Sequence, residues 1–297
     1  MDTPGFKTIL CPVDFGELSA HALRHANLLA GCGYAKVIAI YANWFDAPAY
    51  FTAGRVEELQ KQYREAVVEA ELSLRAFVDS TLGENAGNVE TRVVEALPAD
   101  GVREVAARTG ADLIVMGTHG RSGFNRWMLG SVTERILRES PLPLLTVRAA
   151  PLGPVRRILS PIDGTETSHN AFRLAARLAA CFNAGITAVY VHESGSAQSA
   201  PDLCNWIPAE ARQHCNIREL VRRGDPAEEI VALASEEVFD LLVIGAPHRR
   251  FFAGLVMGTT TQRAVRHAPC PVLTVSGPGE VRSCLNGLAL LDFCCST

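Results

Sequence analysis

The segment Lys7-Thr-Ile-Leu-Cys-Pro-Val-Asp14 decides the fold, because a close copy returns 149 residues later as Arg156-Arg-Ile-Leu-Ser-Pro-Ile-Asp163. Each copy is a short apolar run that ends in an aspartate. After the first copy, apolar residues from Leu18 to Ala30 recur at helical spacing. This pattern predicts a buried strand followed by a helix, and the recurrence predicts that the chain is a duplication.

Two further segment pairs support the duplication. Residues 110–117 match 238–245, and residues 140–147 match 268–275, both at an offset of 128. The second copy therefore lacks 21 residues between its second and third strands. A Pro/Gly segment at 149–154 is suited to a linker. We expect a first domain over residues 1–150, a shorter domain over 155–277 and a C-terminal tail over 278–297.

Within the first copy, strands and helices alternate. Short apolar runs predict strands at Thr8–Val13, Lys36–Ala42, Val89–Val94, Leu113–Met116 and Leu142–Val147, with helical patterns between them, the longest over Val56–Phe77. Alternation of this kind predicts an α/β fold with a mainly parallel, doubly wound sheet. In the second copy, Pro201 and Pro208 interrupt the region of the long helix, which is expected to be largely lost.

Composition excludes several classes. The net charge of -4 offers no basic surface for nucleic acid. No apolar stretch approaches the roughly 18 residues that a membrane span needs, and the N-terminus does not resemble a signal peptide, so a cytoplasmic location is expected. Nine scattered cysteines without a C-x-x-C predict free thiols, with a metal site at Cys204, His214 and Cys215 as the alternative.

The predicted chemistry follows the fourth strand, where the chain reads Gly117-Thr-His-Gly-Arg-Ser-Gly-Phe-Asn-Arg-Trp-Met-Leu-Gly-Ser131. Ser131-Val-Thr-Glu134 fits a capping box, which predicts that a helix begins at Ser131. A glycine loop before a helix N-terminus is suited to an anion, and Asp14 would face it if the first and fourth strands are neighbours. The alternatives are that the glycines only turn a loop and that Asp14 only caps a helix.

The spacing Gly117-x2-Gly120-x9-Gly130-Ser131 resembles the ATP-binding motif of the universal stress protein family, and the segments around it fit over residues 5–148 and 155–276. The resemblance implies two five-stranded sheets of order 3-2-1-4-5. It also implies that the last strands, Leu142–Val147 and Val272–Val275, pair antiparallel to form an intramolecular pseudo-dimer. A further homodimer is left open.

The resemblance also implies the ligand and its site. Asp14, Pro12 and the backbone near Ala42 would hold adenine and ribose, and the glycines would hold the phosphates of ATP together with Mg²⁺. The implied site residues are Pro12, Val13, Asp14, Ala42, Met116, Gly117, Gly120, Gly130, Ser131 and Val132. None of them is a nucleophile with a general base, so no catalytic residue is assigned and at most slow hydrolysis is expected.

Three functions remain open at this stage. The first is a nucleotide-dependent stress or signalling regulator that binds an unidentified protein partner. The second is an enzyme, although the H-x-G-H and S-G-G-x-D-S signatures of related nucleotide enzymes are absent. The third is a stress-related scaffold or metal-binding protein whose nucleotide site is vestigial.

The second copy departs from the motif. His248 stands where the first copy has Gly120, and Pro247 precedes it. A side chain at this position obstructs close approach of a phosphate to the backbone, and proline removes one N–H donor. Arg249 and Arg250 could still hold an anion in another pose. We therefore predict one tightly bound ATP per chain, held by the first copy.

Overall fold

A computed structural model of the protein describes residues 5–44, 53–120, 129–151, 153–193, 207, 209–246, 248–251 and 254–276. The predicted tail lies outside the described residues. The first half contains β1 (Thr8–Pro12), α1 (Glu17–Ala30), β2 (Lys36–Ala42), α2 (Ala53–Leu82), a 3-10 helix (Gly83–Asn88), β3 (Val89–Val94), α3 (Pro98–Thr109), β4 (Leu113–Gly117), α4 (Ser131–Glu139) and β5 (Leu144–Val147).

The second half repeats the order of the strands, with differences in its helices and one added hairpin. It contains β6 (Arg157–Ile162), α5 (Glu166–Phe182), β7 (Gly185–His192), α6 (Ala209–His214), β8 (Asn216–Arg223), α7 (Pro226–Glu236), β9 (Leu241–Ala246), β10 (His248–Phe251), β11 (Gly254–Met257), α8 (Thr259–His267) and β12 (Val272–Ser276). Among the described residues between β7 and β8 there is the six-residue α6, where the first half has the 30-residue α2; Pro201 and Pro208 lie outside the described residues. A β10–β11 hairpin stands where the first half has its glycine loop.

Ten of these strands form one sheet in the order β3-β2-β1-β4-β5-β12-β9-β6-β7-β8. Each half has the order 3-2-1-4-5 that the resemblance implied. Within this sheet, the described strands of each half pair in parallel, and β5 pairs with β12 in antiparallel. The α/β fold with a mostly parallel sheet is therefore confirmed.

The two halves meet through reciprocal contacts at β5 and β12. Thr146 Oγ1 donates to the carbonyl of Val272 at 3.2 Å, and Thr274 Oγ1 donates to the carbonyl of Leu144 at 3.1 Å. Both threonines are buried, and the two bonds are related by the repeat offset. Each last strand covers the edge that the other would expose, which protects both from pairing with foreign chains.

Arg148 adds a one-sided contact across the same junction. Its Nη2 atom donates to the carbonyls of Val265 and Arg266, at 2.9 and 2.5 Å, in the last turn of α8. Burial lowers the pKa of Arg148, but the guanidinium keeps its charge because its ordinary pKa is so high. A cation at a helix C-terminus is favourable, so Arg148 ties the first half to α8.

The sheet carries a buried helix layer on each face. Alternate strand residues such as Ile9 and Leu113 pack with α1, α2 and α5 on one face. Their neighbours Leu10 and Ile114 pack with α3, α4, α7 and α8 on the other. Both cores continue from one half into the other.

One aspartate in each half sets the first strand against the fourth. The Asp112 carboxylate accepts from the backbone N–H groups of Lys7 and Thr8, at 2.8 and 3.0 Å. Asp240, its counterpart, accepts from the N–H groups of Arg156 and Arg157. These bonds fix β1 beside β4, with Ile9 opposite Leu113, so the carboxyl ends of the two strands meet at one edge.

The prediction of free thiols is wrong for two cysteines. Cys32 and Cys181 form a disulfide whose Cα atoms lie 5.7 Å apart. Their separation of 149 residues equals the offset of the first repeated segment, so they occupy equivalent positions across the pseudo-twofold axis. Spacing along the chain hides such a pair, whereas comparison with the repeat offset would have found it.

Cys11, Cys215 and Cys270 are free, as predicted. Cys204, of the alternative metal site, lies outside the described residues. In the part of the chain that the structure describes, no group of three or more His, Cys, Asp or Glu side chains is arranged for a metal ion. Among the same residues, no helix has both the length and the apolar character needed to cross a membrane.

Candidate functional site

The turn after β1 presents Asp14 at the carboxyl edge of the sheet. The carboxylate Oδ1 accepts hydrogen bonds from the Gly16 N–H at 2.9 Å and from the Ser19 hydroxyl. The Ser19 Oγ in turn accepts from the Asp14 N–H at 3.0 Å. Gly16 is the N-cap of α1, so the alternative in which Asp14 is the cap is wrong. The hydrogen bonds to Oδ1 fix the orientation of the carboxylate, and with it the position of the second oxygen, Oδ2.

Gly120 lies directly against that other face. A Cβ atom on Gly120 would lie 2.9 Å from Asp14 Oδ2, closer than ordinary contact allows. The sequence predicted that Asp14 would face the glycine loop if the first and fourth strands were neighbours. In the structure Asp14 and Gly120 lie side by side. The absence of a side chain at Gly120 keeps the backbone of the loop within reach of whatever the carboxylate contacts.

The two ends of the loop are closed against each other. The Gly130 N–H donates to the Thr118 carbonyl at 2.8 Å, and the Thr133 hydroxyl donates to the Gly117 carbonyl at 2.9 Å. A Cβ atom on Gly130 would lie 3.0 Å from the Cα atom of His119. The start of α4 is therefore held against the end of β4, and Gly130 permits that approach.

Helix α4 begins at Ser131, as predicted, but the capping box is wrong. The N-cap is Gly130, in an extended conformation, and it makes no side-chain cap hydrogen bond. Ser131 is already the first helical residue, so its hydroxyl is displaced by one position from the geometry that a cap needs. The N-cap position therefore offers no side-chain acceptor to the first-turn N–H groups of α4, which lies beside Gly120.

The remaining predicted residues line the same edge. Met116 is buried at the end of β4, and a Cβ atom on Gly117 would lie 2.7 Å from Leu18 Cβ, so α1 packs directly on this glycine. Pro12 and Ala42 are half-buried at the ends of β1 and β2, Val13 is buried, and Val132 is half-buried. Ser131 and Gly120 are exposed. The predicted neighbours Arg121, Arg126, Trp127 and Met128 lie outside the described residues.

Sequence reasoning missed Phe15. This residue has φ 63°, in the left-handed region, and its counterpart in the second half is Gly164 at φ 79°. The Phe15 ring packs on Tyr41 and Phe77, with ring centroids 4.7 and 5.7 Å away. The glycine at the equivalent position was the available signal. A phenylalanine in this conformation costs on the order of 1 kcal/mol, which the ring contacts offset.

The equivalent edge of the second half is built differently. Asp163 Oδ1 accepts from the N–H and the hydroxyl of Thr165, at 2.9 and 2.6 Å, and Thr165 is a side-chain N-cap of α5. The segment from His248 to Met257 pairs with itself as the β10–β11 hairpin, so its backbone groups are engaged in a ladder. Pro247 lies outside the described residues. The Thr261 hydroxyl still donates to the Gly245 carbonyl at 2.8 Å, as Thr133 does to Gly117.

Comparison with known proteins identifies this architecture. The sequence profile of the Universal stress protein family matches residues 5–148 and again residues 154–276. A universal stress protein of Methanocaldococcus jannaschii is 33% identical over 147 residues, which cover 48% of this chain and 82% of that protein. A universal stress protein of Mycolicibacterium smegmatis is 24% identical over 294 residues, covering 90% of this chain and 96% of that protein.

Solved structures agree on the fold. The crystal structure of a universal stress protein from Archaeoglobus fulgidus superposes with a TM-score of 0.69 at 18% identity, covering 94% of this chain and all of that one. The two profile matches fall on the two halves of the ten-stranded sheet. The chain therefore belongs to the universal stress protein family and carries two domains of that family in tandem.

Proposed function

We propose that the first half binds ATP and that the chain acts as a nucleotide-dependent regulator. The observation that carries the proposal is the close approach of Gly120 to Asp14 Oδ2, beside the N-terminus of α4, where the N-cap Gly130 supplies no side-chain acceptor. A carboxylate, a bare loop backbone and a set of N–H donors then face one crevice. These groups suit a ligand with both hydroxyl donors and phosphate acceptors.

The phosphates belong at the α4 side of the crevice. The helix N-terminus presents N–H donors and the positive end of the helix dipole, both of which favour anions. Gly120, Gly130, Ser131 and Val132 would supply backbone contacts there. Because Asp14 repels phosphate, the ribose hydroxyls are the groups that would face it, with Pro12, Val13, Ala42, Met116 and Gly117 around the ribose and base.

Magnesium fits this site only together with the nucleotide. Asp14 offers a hard oxygen donor of the kind that Mg²⁺ prefers, but the described residues provide no cluster of three ligands. Most of the ion's ligands would therefore be phosphate oxygens and water. When bound, the ion would neutralise phosphate charge next to the carboxylate of Asp14.

The described part of the crevice presents no pair of nucleophile and general base. The imidazole of His119, the residue before Gly120, has its Nδ1 atom 3.2 Å from the Thr118 hydroxyl. We therefore propose slow hydrolysis at most, and an output in which a protein partner distinguishes nucleotide states. The cytoplasmic location and the domain limits 1–150, 155–277 and 278–297 stay predictions.

The test is ligand retention by the intact chain. Native mass spectrometry of freshly purified protein should show one nucleotide per chain. After the nucleotide is removed, millimolar ATP with Mg²⁺ should raise the thermal midpoint, since a ligand at about 100 times its Kd contributes about 2.7 kcal/mol. A chain that purifies without nucleotide and shows no thermal shift contradicts the proposal. Copurified zinc without nucleotide would instead favour the scaffold or metal-binding function with a vestigial site.

A further inference from the structure

The Cys32–Cys181 disulfide joins the two halves at equivalent points of the repeat. Cys32 follows the C-terminal end of α1, and Cys181 lies in the last turn of α5. The Cys181 Sγ also lies 3.2 Å from the Cys32 carbonyl. The bond therefore fastens the far ends of the two helices whose N-terminal ends pack against Gly117 and Gly245.

Accessibility separates this pair from two of the three free thiols of the described chain. Cys32 and Cys181 are both partly exposed, so small oxidants and reductants reach them. Cys11 and Cys270 are buried, and burial raises the pKa of Cys270 to about 12 and that of Cys11 further still. Burial also raises the pKa of Cys215. Cys215 is partly exposed like the pair, but a raised pKa keeps all three free thiols neutral and poorly reactive, which directs thiol chemistry to Cys32 and Cys181.

Arg177 is a cation on the same helix as Cys181. It precedes Cys181 by one helical turn, and its Nη2 atom donates to the Gly5 carbonyl at 3.3 Å. Gly5 in turn abuts Gly33, since a Cβ atom on Gly5 would lie 2.9 Å from the Gly33 nitrogen. The guanidinium thus lies beside the chain segment that carries Cys32. A nearby cation favours the reactive thiolate, which offsets the unfavourable C-terminal end of the helix dipole.

We propose that Cys32 and Cys181 form a reversible redox site that fastens or releases the two halves. The oxidant is a peroxide. The Cys181 thiolate attacks its O–O bond and becomes a sulfenic acid, with one oxygen leaving as water after protonation. The Cys32 thiol then displaces a second water from that sulfur and the S–S bond forms. A dithiol reductant reverses the reaction and is itself oxidised to a disulfide.

This inference is independent of the nucleotide proposal. In the reducing compartment that the sequence predicts, persistent disulfides are rare and those that form are usually transient or redox-sensing. The bond closes a loop of 149 residues, so it should stabilise the chain by restricting the unfolded state. The oxidised protein should therefore unfold at a temperature higher by roughly 5 °C or more.

The experiment uses the full folded chain. The protein is reduced with dithiothreitol, exchanged into buffer and treated with hydrogen peroxide, and each state is alkylated, digested and mapped by mass spectrometry. We expect a peptide cross-linked through Cys32 and Cys181 after peroxide and its loss after dithiothreitol, both under native conditions. The thermal midpoint should rise and fall with the bond.

Variants identify the site and the charge effect. Cys32→Ser and Cys181→Ser should each abolish the redox-dependent midpoint shift, whereas Cys270→Ser, which removes a buried free thiol, should keep it. Arg177→Met should slow oxidation by peroxide several-fold at neutral pH. The proposal is overturned if peroxide links other cysteines, if native protein resists dithiothreitol, or if the shift persists in Cys32→Ser.

A protease site inserted at the exposed Gly153, in the linker, gives a second readout. After cleavage, the oxidised halves should stay together in denaturing gels run without reductant, and the reduced halves should run apart. Separation of the halves in both states would mean that the bond does not form in solution, which would also overturn the proposal.

Discussion

Asp14 Oδ2 lies 2.9 Å from the point that a Cβ atom of Gly120 would occupy. Two residues that are 106 positions apart in the chain thus share one small space, and only because residue 120 has no side chain. The Asp14 carboxylate is already oriented from behind by Gly16 and Ser19. The crevice is therefore preformed at this point, and changes at either residue should act on the ligand more than on the fold.

Gly120→Val should weaken ATP binding by at least about a hundredfold, which corresponds to about 2.7 kcal/mol. The branched side chain would collide with Asp14 and fill the approach to the loop backbone. Gly120 is exposed, so the free energy of unfolding should change little. Titration calorimetry on nucleotide-free protein measures the affinity, and urea unfolding measures the stability. An unchanged Kd for ATP would indicate that the phosphates do not bind at this loop.

Asp14→Ala should lower ATP affinity by roughly tenfold to a hundredfold, because a hydrogen bond to a charged group contributes about 1.5–3 kcal/mol. The matched control is Asp163→Ala, which removes the aspartate at the same position of the second half. That aspartate is exposed and bonded to Thr165. We expect Asp163→Ala to leave ATP affinity unchanged. Equal losses in the two variants would argue against a site confined to the first half.

The stoichiometry of ATP should be one per chain. The loop of the second half is drawn into the β10–β11 hairpin, with His248 opposite Met257, and its backbone groups pair within that ladder. His248→Gly should therefore not create a second site, since the hairpin pairing remains. Calorimetry on the parent protein and on this variant checks the number. Two sites in the parent protein, or a single site that survives Gly120→Val, would place binding in the second half.

Phe15→Gly should destabilise the fold less than Phe15→Ala, by about 1 kcal/mol. Both changes remove the ring from Tyr41 and Phe77, but alanine keeps the unfavourable φ of 63° and glycine does not. At positions with negative φ, glycine normally destabilises the folded state more than alanine does, because it loses more backbone freedom on folding. The counterpart Gly164→Ala should for the same reason cost about 1 kcal/mol. Urea unfolding of the three variants decides the order, and a less stable Phe15→Gly would contradict it.

Thr146→Val and Thr274→Val should destabilise the chain by similar amounts, about 1 kcal/mol each. Each removes one of the two reciprocal hydrogen bonds across β5 and β12 and leaves the shape of the buried side chain nearly unchanged. The comparison is made by denaturant unfolding. If only one variant showed a large loss of stability, the two hydrogen bonds would contribute unequally despite their equivalent geometry.

The fold could be predicted from sequence because its determinants are local or repeated. The apolar runs that end at Asp14 and at Asp163 each predict the first strand of one half. The alternation of apolar runs with helical patterns then predicts the order of the elements. The start of α4 at Ser131 was found for an incorrect reason, since Gly130 and not a serine precedes it as the cap. Gly130 acts as the N-cap through its backbone conformation, and a pattern of capping side chains cannot reveal such a residue.

What could not be predicted depends on the pseudo-twofold axis and on backbone conformation. Cys32 and Cys181 occupy equivalent positions of the two halves and meet across the axis. No local pattern reveals this pair, although its separation of 149 residues equals the repeat offset. Phe15 has a conformation that its residue type disfavours. The β10–β11 hairpin pairs the chain with itself, whereas the sequence suggested obstruction by His248 and Pro247 or an anion held by Arg249 and Arg250.

The reciprocal threonine bonds between β5 and β12 also bear on how such a chain can diverge. When a single-domain protein pairs with an identical copy, every substitution appears on both sides of the axis, so neither site can change alone. Joining the copies in one gene removes that coupling. Changes near the axis still need a compatible partner, whereas segments far from the axis can change separately in each copy. The hairpin in the second copy, at the position of the glycine motif of the first, is an asymmetry that this freedom permits.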